Sequence, residues 1–264
     1  MPFESDARLS TGGEAVKLSE VKQADETSKT STSNAKRWLP VAVLITGLFA
    51  YFQFDLGHYL SFELLREHRF TLLEWVSAHF LLAPLVYIVI YIVVVAFSLP
   101  GGAVMTVSGG FLFGALFGTL YTVLGATVGA TLLFLIARTS LGDALKQRAG
   151  PWLARMQDGF NENAMSYLLV LRLIPIFPFW LVNLAPAFLG VQLRTYFTAT
   201  VIGIVPGTFV FSLVGAGLGS VFDSGEAFTL QGVLTPEIIA ALAGLALLSL
   251  LPVVYKKIKG RNHE

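Results

Sequence analysis

The sequence contains no cysteine. Disulfides, thiolate metal sites and cysteine nucleophiles are therefore excluded, while the compartment stays open. Charge is scarce as well. Asp, Glu, Lys and Arg make up 13% of the chain, against roughly a quarter in soluble proteins. No such residue stands between Glu74 and Arg138, and from Leu173 to Val221 Arg194 is alone. The histidines His58, His68, His79 and His263 show no metal-ligand spacing, and no zinc-type His-Glu pair, serine nucleophile elbow or phosphate loop occurs. These absences argue against an enzyme, a cofactor and a metal. A net charge of +1, without a basic face carrying interleaved aromatics, gives no sign of nucleic-acid binding.

What is present is apolar surface. Hydrophobic residues are 55% of the chain, and mean hydropathy is +0.69. The charge-free run from Glu74 to Arg138 far exceeds the ~20 residues that one membrane span needs. The chain reads as an all-α polytopic membrane protein.

Residues 1–35 are rich in Ser, Thr, Lys and Glu, and such a stretch cannot bury enough surface to offset ordering entropy, so a disordered tail is expected. No cleavable signal peptide is expected, because the first apolar run begins only after Trp38. Residues 36–78 supply a first span, about 38–54, and an amphipathic surface helix over 55–78. The core covers 79–220. Residues 221–264 supply an acidic loop, a last span and the basic tail "KKIKGR".

Within the core, two segments are interrupted by proline and glycine. The first, about 79–118, contains "SLPGG" and then Gly109, Gly110, Gly114 and Gly118; the second, about 165–190, contains Pro175 and Pro178. Proline removes a helical donor, so each segment is expected to form a helical hairpin that enters and leaves on one side. Each is followed by a span, and the second span carries Gly203, Pro206 and Gly207. With four crossings, Lys36, Arg37, the 139–164 loop and "KKIKGR" share one face. Charge bias places that face, and both termini, in the cytoplasm, which suits an inner or plasma membrane.

Gly114 set over Gly190 aligns "GALFGTLYT" with "GVQLRTYFT". A slightly longer offset brings Pro100 onto Pro178, Gly125 onto Gly203 and Gly129 onto Gly207. The expected architecture is therefore two inverted repeats, each a re-entrant helical hairpin followed by a transmembrane helix, with flanking terminal spans.

The polar residues inside this frame are few. Arg172 stands in "LRLIPIFPFW", where a mid-membrane charge costs about 2.5–3.5 kcal/mol on translocon scales. Carbonyls freed by Pro175 and Pro178 favour a cation, and a half-helix starting near Pro178 offers amides to an anion. Together they form a phosphate cradle, or else Arg172 only caps carbonyls or snorkels to the inner face. Pro100, Gly101 and Gly102 form the matching break without charge. Asn183 is expected to tie its leg to the break or to the other hairpin, or else to contact a headgroup. Gly110, Gly114 and Gly118 fall on one face of a straight helix and, with Gly109, Pro206 and Gly207, are read as packing or hinge positions. Arg138 and Arg194 are read as interface anchors.

These residues carry a resemblance. "SLPGGAVMTVSGGFLFGALFG", Arg138, the Arg-x-x-Pro-x-x-Pro run at 172–178, Asn183 and the Pro206-Gly207 pair resemble the SNARE-associated Golgi protein superfamily, which includes bacterial DedA and eukaryotic VTT-domain proteins. The polyprenyl-phosphate type carries embedded acidic residues near its first hairpin and a second arginine after Arg-x-x-Pro. Neither stands here, so the pattern is closer to the Tvp-like branch. The resemblance implies opposed re-entrant hairpins and movement of a phosphate-bearing lipid across the bilayer, as transporter or scramblase. From the residues alone, a membrane organiser without transport, possible as an oligomer, and a small-anion transporter stay open.

Overall fold

The computed structural model describes residues 38–140, 160, 163–174 and 177–224, and the isolated positions 239, 243, 244, 247 and 250. The tail 1–35, most of the 139–164 loop, Pro175, the acidic loop and nearly all of the last span lie outside the described residues. The chain divides into two units, Met1–Val43 and Leu44–Glu264. Apart from the start of α1 (Trp38–Gln53), which belongs to the first unit, every described helix lies in the second.

Every regular element among the described residues is helical. A short 3-10 turn, Leu56–Leu60, leads to α2 (Phe62–Glu67) and α3 (Arg69–Ala78). The single amphipathic helix expected over 55–78 is thus corrected to three pieces. Asp55 precedes them in a left-handed conformation, Ser61 is extended, and the Ser61 hydroxyl accepts the Leu64 amide at 3.2 Å, starting a new helix. Then come α4 (Leu82–Ala96), α5 (Gly102–Ser140), α6 (Ala164–Leu173), α7 (Phe179–Phe188) and α8 (Leu193–Ser224).

Helix α4 ends in a Schellman arrangement. The amide of Leu99 reaches the Val94 carbonyl at 2.9 Å and that of Ser98 reaches Val95 at 3.0 Å. Pro100 follows and stops the helix. The chain then reverses. Tyr91 Oη donates to the Gly102 carbonyl at 3.2 Å and Tyr87 Oη to the Met105 carbonyl at 2.8 Å, so α5 starts antiparallel to α4. These two tyrosines stand four residues apart on one face of α4, where buried hydroxyls must find acceptors.

The sequence reading of Gly110, Gly114 and Gly118 as one helix face is corrected here. Gly114 is not helical: its φ of 79° and ψ of 170° break α5 into two limbs, 102–113 and 115–140. A Cβ on Gly118 would lie 2.6 Å from the Gly109 carbonyl oxygen. In a straight helix those residues are about 13 Å apart along the axis at 1.5 Å per residue, so the chain folds back sharply at Gly114. The second limb then runs parallel to α4, with Gly125 against Tyr91 and Ile88, and Gly129 against Ile92 and Val95.

Helices α6, α7 and α8 follow. A break at 174–178 separates α6 from α7, and Gly190, with φ 74°, stands before α8 as Gly114 stands before the second limb of α5. Gly203 takes the Arg172 side chain of α6 much as Gly125 takes Tyr91 of α4. Helix α8 packs antiparallel to the second limb of α5. Arg138 reaches the Val191 carbonyl at 3.4 Å, and Phe134 stacks on Tyr196 with ring centroids 4.4 Å apart.

Among the described residues two helices are long and apolar enough to cross a membrane, α5 and residues Leu193–Gly219 of α8. A third crossing is counted if α3 and α4, bent by 120°, form one broken span. The first span expected at 38–54 is the shorter apolar helix α1. Large side chains such as Leu81, Phe80, Leu116 and Leu213 are exposed, which is the pattern of helices facing lipid rather than water.

Candidate functional site

Arg172 projects from the last turn of α6, one residue before the helix ends at Leu173. Gly203 permits its approach to α8: a Cβ there would sit 2.8 Å from Arg172 Cβ. The guanidinium donates to Asn183 Oδ1 at 2.8 Å and, through Nη2, to Tyr196 Oη and Thr200 Oγ1, each at 3.0 Å. The Tyr196 hydroxyl donates to Asn183 Oδ1 at 3.1 Å, with the Ala130 carbonyl 3.3 Å away as an alternative acceptor. Thr200 returns a bond to the Tyr196 carbonyl at 2.7 Å. Among the described residues the three bonds of Arg172 go to side chains and none to a carbonyl.

All three acceptors are uncharged. Among the described residues no carboxylate pairs with Arg172. Its Nε and the Asn183 amide nitrogen are buried without a hydrogen-bond partner among them. Asn183, at 0% exposure, joins α7 to α6 and α8.

Beside this network lies a cavity of about 490 Å³. Its walls come from both breaks: Ser98, Pro100, Gly101 and Gly102 from the first, Arg172, Phe179 and Trp180 from the second. Gly207 and Thr208 of α8 close one side, and nothing stands within 4 Å of a Cβ placed on Gly207. The structure thus brings Arg172 together with Pro100, Gly101 and Gly102. Asn183 adjoins the site through the guanidinium, Pro178 caps α7 with φ −56°, and Pro206 lies within α8. The amides of Phe179 and Trp180 begin α7, while those of Leu181 and Val182 turn back to the Pro178 carbonyl at 3.0 and 3.2 Å.

The remaining residues singled out from sequence stand apart from the cavity. Arg138 is tied to the segment before α8, and Arg194 is exposed. Gly109, Gly110 and Gly118 are contact points between backbones and tyrosine. Sequence reasoning missed Tyr91, Tyr51, Ser98, Tyr196 and Thr200. Tyr51 Oη donates to the Pro100 carbonyl at 2.9 Å, holding the first break from α1. The signal that could have found them is hydroxyl residues four apart, Tyr87 with Tyr91 and Tyr196 with Thr200, in runs nearly free of other polar groups.

Ser98 holds φ 53° although it is not glycine, and its hydroxyl is buried without a partner among the described residues. Left-handed backbone costs a non-glycine residue roughly 1–2 kcal/mol. Ser98→Gly should therefore raise thermal stability, measured by the unfolding midpoint of the purified protein. If stability falls instead, the hydroxyl has a supporting partner in the fold.

The VTT domain family matches residues 99–217, a stretch that contains both breaks and the cavity-lining part of α8. The chain is 31% identical over 175 residues to the Transmembrane protein 41 homolog of Dictyostelium discoideum, covering 65% of this chain and 51% of that protein. It is 27% identical over 173 residues to the Transmembrane protein 41 homolog of Caenorhabditis elegans, covering 64% and 68%. To Transmembrane protein 41B of Mus musculus it is 28% identical over 175 residues, covering 65% and 58%. The match thus spans about half to two thirds of these relatives. No solved structure matches the chain. Residues 99–217 thus match the VTT domain, and the chain, with its long apolar helices, is a membrane protein similar to the Transmembrane protein 41 homologues.

Proposed function

We propose that this chain moves phosphate-bearing lipids across the bilayer, with the headgroup held in the cavity where the two breaks meet. One observation carries the reading: an arginine without a carboxylate partner among the described residues lines a cavity that both breaks help to build. A guanidinium offers a planar fork of donors suited to phosphate. The first amides of α7 add partial positive charge from the same side.

Depth supports it too. The cavity is level with Ala126, near the middle of the 115–140 limb, and with Ile204 to Phe211, near the middle of α8. If both helices cross the membrane, the breaks lie near its midplane and the segments that carry them are re-entrant. The antiparallel packing of the second limb of α5 against α8, each preceded by a broken hairpin, fits two inverted repeats. By charge bias, we place both termini on the cytoplasmic side of the plasma or inner membrane. The reading needs no bond-breaking step, cofactor or metal. The partners it calls for are membrane lipids.

The test uses purified full-length chain in phospholipid vesicles with fluorescent headgroup-labelled lipids, comparing wild type with Arg172→Ala. Wild type should move labelled lipid between leaflets, and Arg172→Ala should slow it by roughly tenfold or more, the worth of a charged hydrogen bond. No movement by folded wild-type protein overturns the proposal. Equal rates in both remove Arg172 from it.

A further inference from the structure

The choice of acceptors around Arg172 has a charge consequence. A partly buried arginine is commonly satisfied by a carboxylate, which makes the best hydrogen bonds and cancels the charge. Here the three positions facing the guanidinium are an amide oxygen, a phenol and an alcohol. Asn183 is the most telling of them, since aspartate has nearly the same shape and its oxygen would occupy the same place 2.8 Å from Nη1.

We infer that Asn183, with Tyr196 and Thr200, positions the guanidinium through uncharged acceptors so that its full positive charge faces the cavity, and that Asn183 thereby sets the preference for a headgroup of net negative charge. The inference rests on the proposed lipid site. Three features of the structure point the same way. Among the described residues the cavity wall holds no carboxylate, so a bound phosphodiester meets no opposing charge there. The three positioning bonds use one N–H of Nη1 and both of Nη2, so an Nη1 donor remains besides the buried Nε. Finally, Asn183 is itself held. Its Oδ1 is shared with Tyr196, whose hydroxyl reaches the Ala130 carbonyl and whose ring stacks on Phe134. The amide is therefore fixed from α5 and α8 as well as from α6, and its orientation follows from two donors meeting one oxygen.

In a low-dielectric site a like-shaped substitution that adds one negative charge acts mainly through electrostatics. Asn183→Asp keeps the hydrogen bond to Arg172 and removes the net charge. Asn183→Ala removes the bond and keeps the charge. A residue with a merely structural role makes these two variants alike, whereas a charge-setting residue makes them opposite in selectivity.

The experiment measures binding of dihexanoyl phosphatidylglycerol and dihexanoyl phosphatidylcholine to the full chain in detergent, followed by tryptophan fluorescence, since Trp180 lies in the cavity wall. Wild type should favour the anionic lipid by roughly tenfold, the scale of one charge-assisted contact. Asn183→Asp should lose that preference while keeping a cooperative unfolding transition, and Asn183→Ala should bind both lipids more weakly with the preference retained. A preference unchanged in Asn183→Asp, the same loss in both variants, or no preference in wild type each overturns the inference. Should Asn183→Asp fail to give monodisperse protein, Thr200→Asp places a carboxylate beside Nη2 and is read in the same way. Vesicle transport separates the two levels. Selective binding that Asn183→Asp abolishes, in a protein that moves no lipid, would overturn the proposed function and leave the charge assignment standing.

Discussion

Gly207→Phe should stop lipid movement while leaving the protein no less stable than wild type. Gly207 lies inside α8, where glycine is the poorest helix former after proline, about 1 kcal/mol worse than alanine. Among the described residues a Cβ at this position meets nothing within 4 Å, and Gly207 lies in the cavity wall. Neither backbone nor neighbour has to shift. A benzyl group there adds bulk to the wall of the cavity that Thr208 and Pro100 also line. The expected result is a raised or unchanged unfolding midpoint together with vesicle transport at the rate of protein-free controls. Transport at the wild-type rate would show that the lipid does not pass through this cavity.

Gly215→Ala and Gly110→Ala should have the opposite profile. At Gly215 an added Cβ would overlap the Val107 carbonyl oxygen, and at Gly110 it would overlap the Ser212 carbonyl. Both obstacles are backbone, so no rotamer change relieves them. The first limb of α5 and α8 would have to separate along a contact that also buries Val107 and Leu218. Overpacking of this kind costs roughly 1–3 kcal/mol and occasionally more. Each variant should lower the unfolding midpoint by several degrees, and the pair together should compromise folding. A double variant that melts like wild type would mean that the close approach of these helices is not needed for stability.

The contrast between these glycines shows what sequence could and could not tell. Pro100 and Pro178 mark both breaks because proline acts locally, through its missing donor and fixed ring. Gly114 and Gly190 align in sequence and both hold positive φ. Yet periodicity counting places Gly114 one step along a straight helix face, since it presumes a continuous helix. The sharp reversal depends on what waits on either side: Gly109 and Gly110 must meet Gly118. Segment 55–78 fails as one helix for a related reason, because apolar spacing carries no record of the left-handed Asp55 or the cap at Ser61. At the site, the cost of a buried charge makes it clear that Arg172 needs partners. Which partners is not legible, because Tyr196 and Thr200 reach it only through the packing of α8 on α6. Nor can sequence distinguish Gly207, which opens on space, from Gly203, which is filled by arginine.

The aromatic entrance of α7 has one more implication. Phe179 and Trp180, 46% and 55% exposed, stand in the cavity wall together with Ile204 and Phe211 of α8. If those side chains face hydrocarbon, the chamber has a greasy doorway on its flank. A guest could then slip its polar end sideways past the rings while its tails stay immersed in the bilayer. Such a guest never has to be lifted out of the membrane, so long and short tails should fare alike, and the protein would sort its cargo by the end it sees.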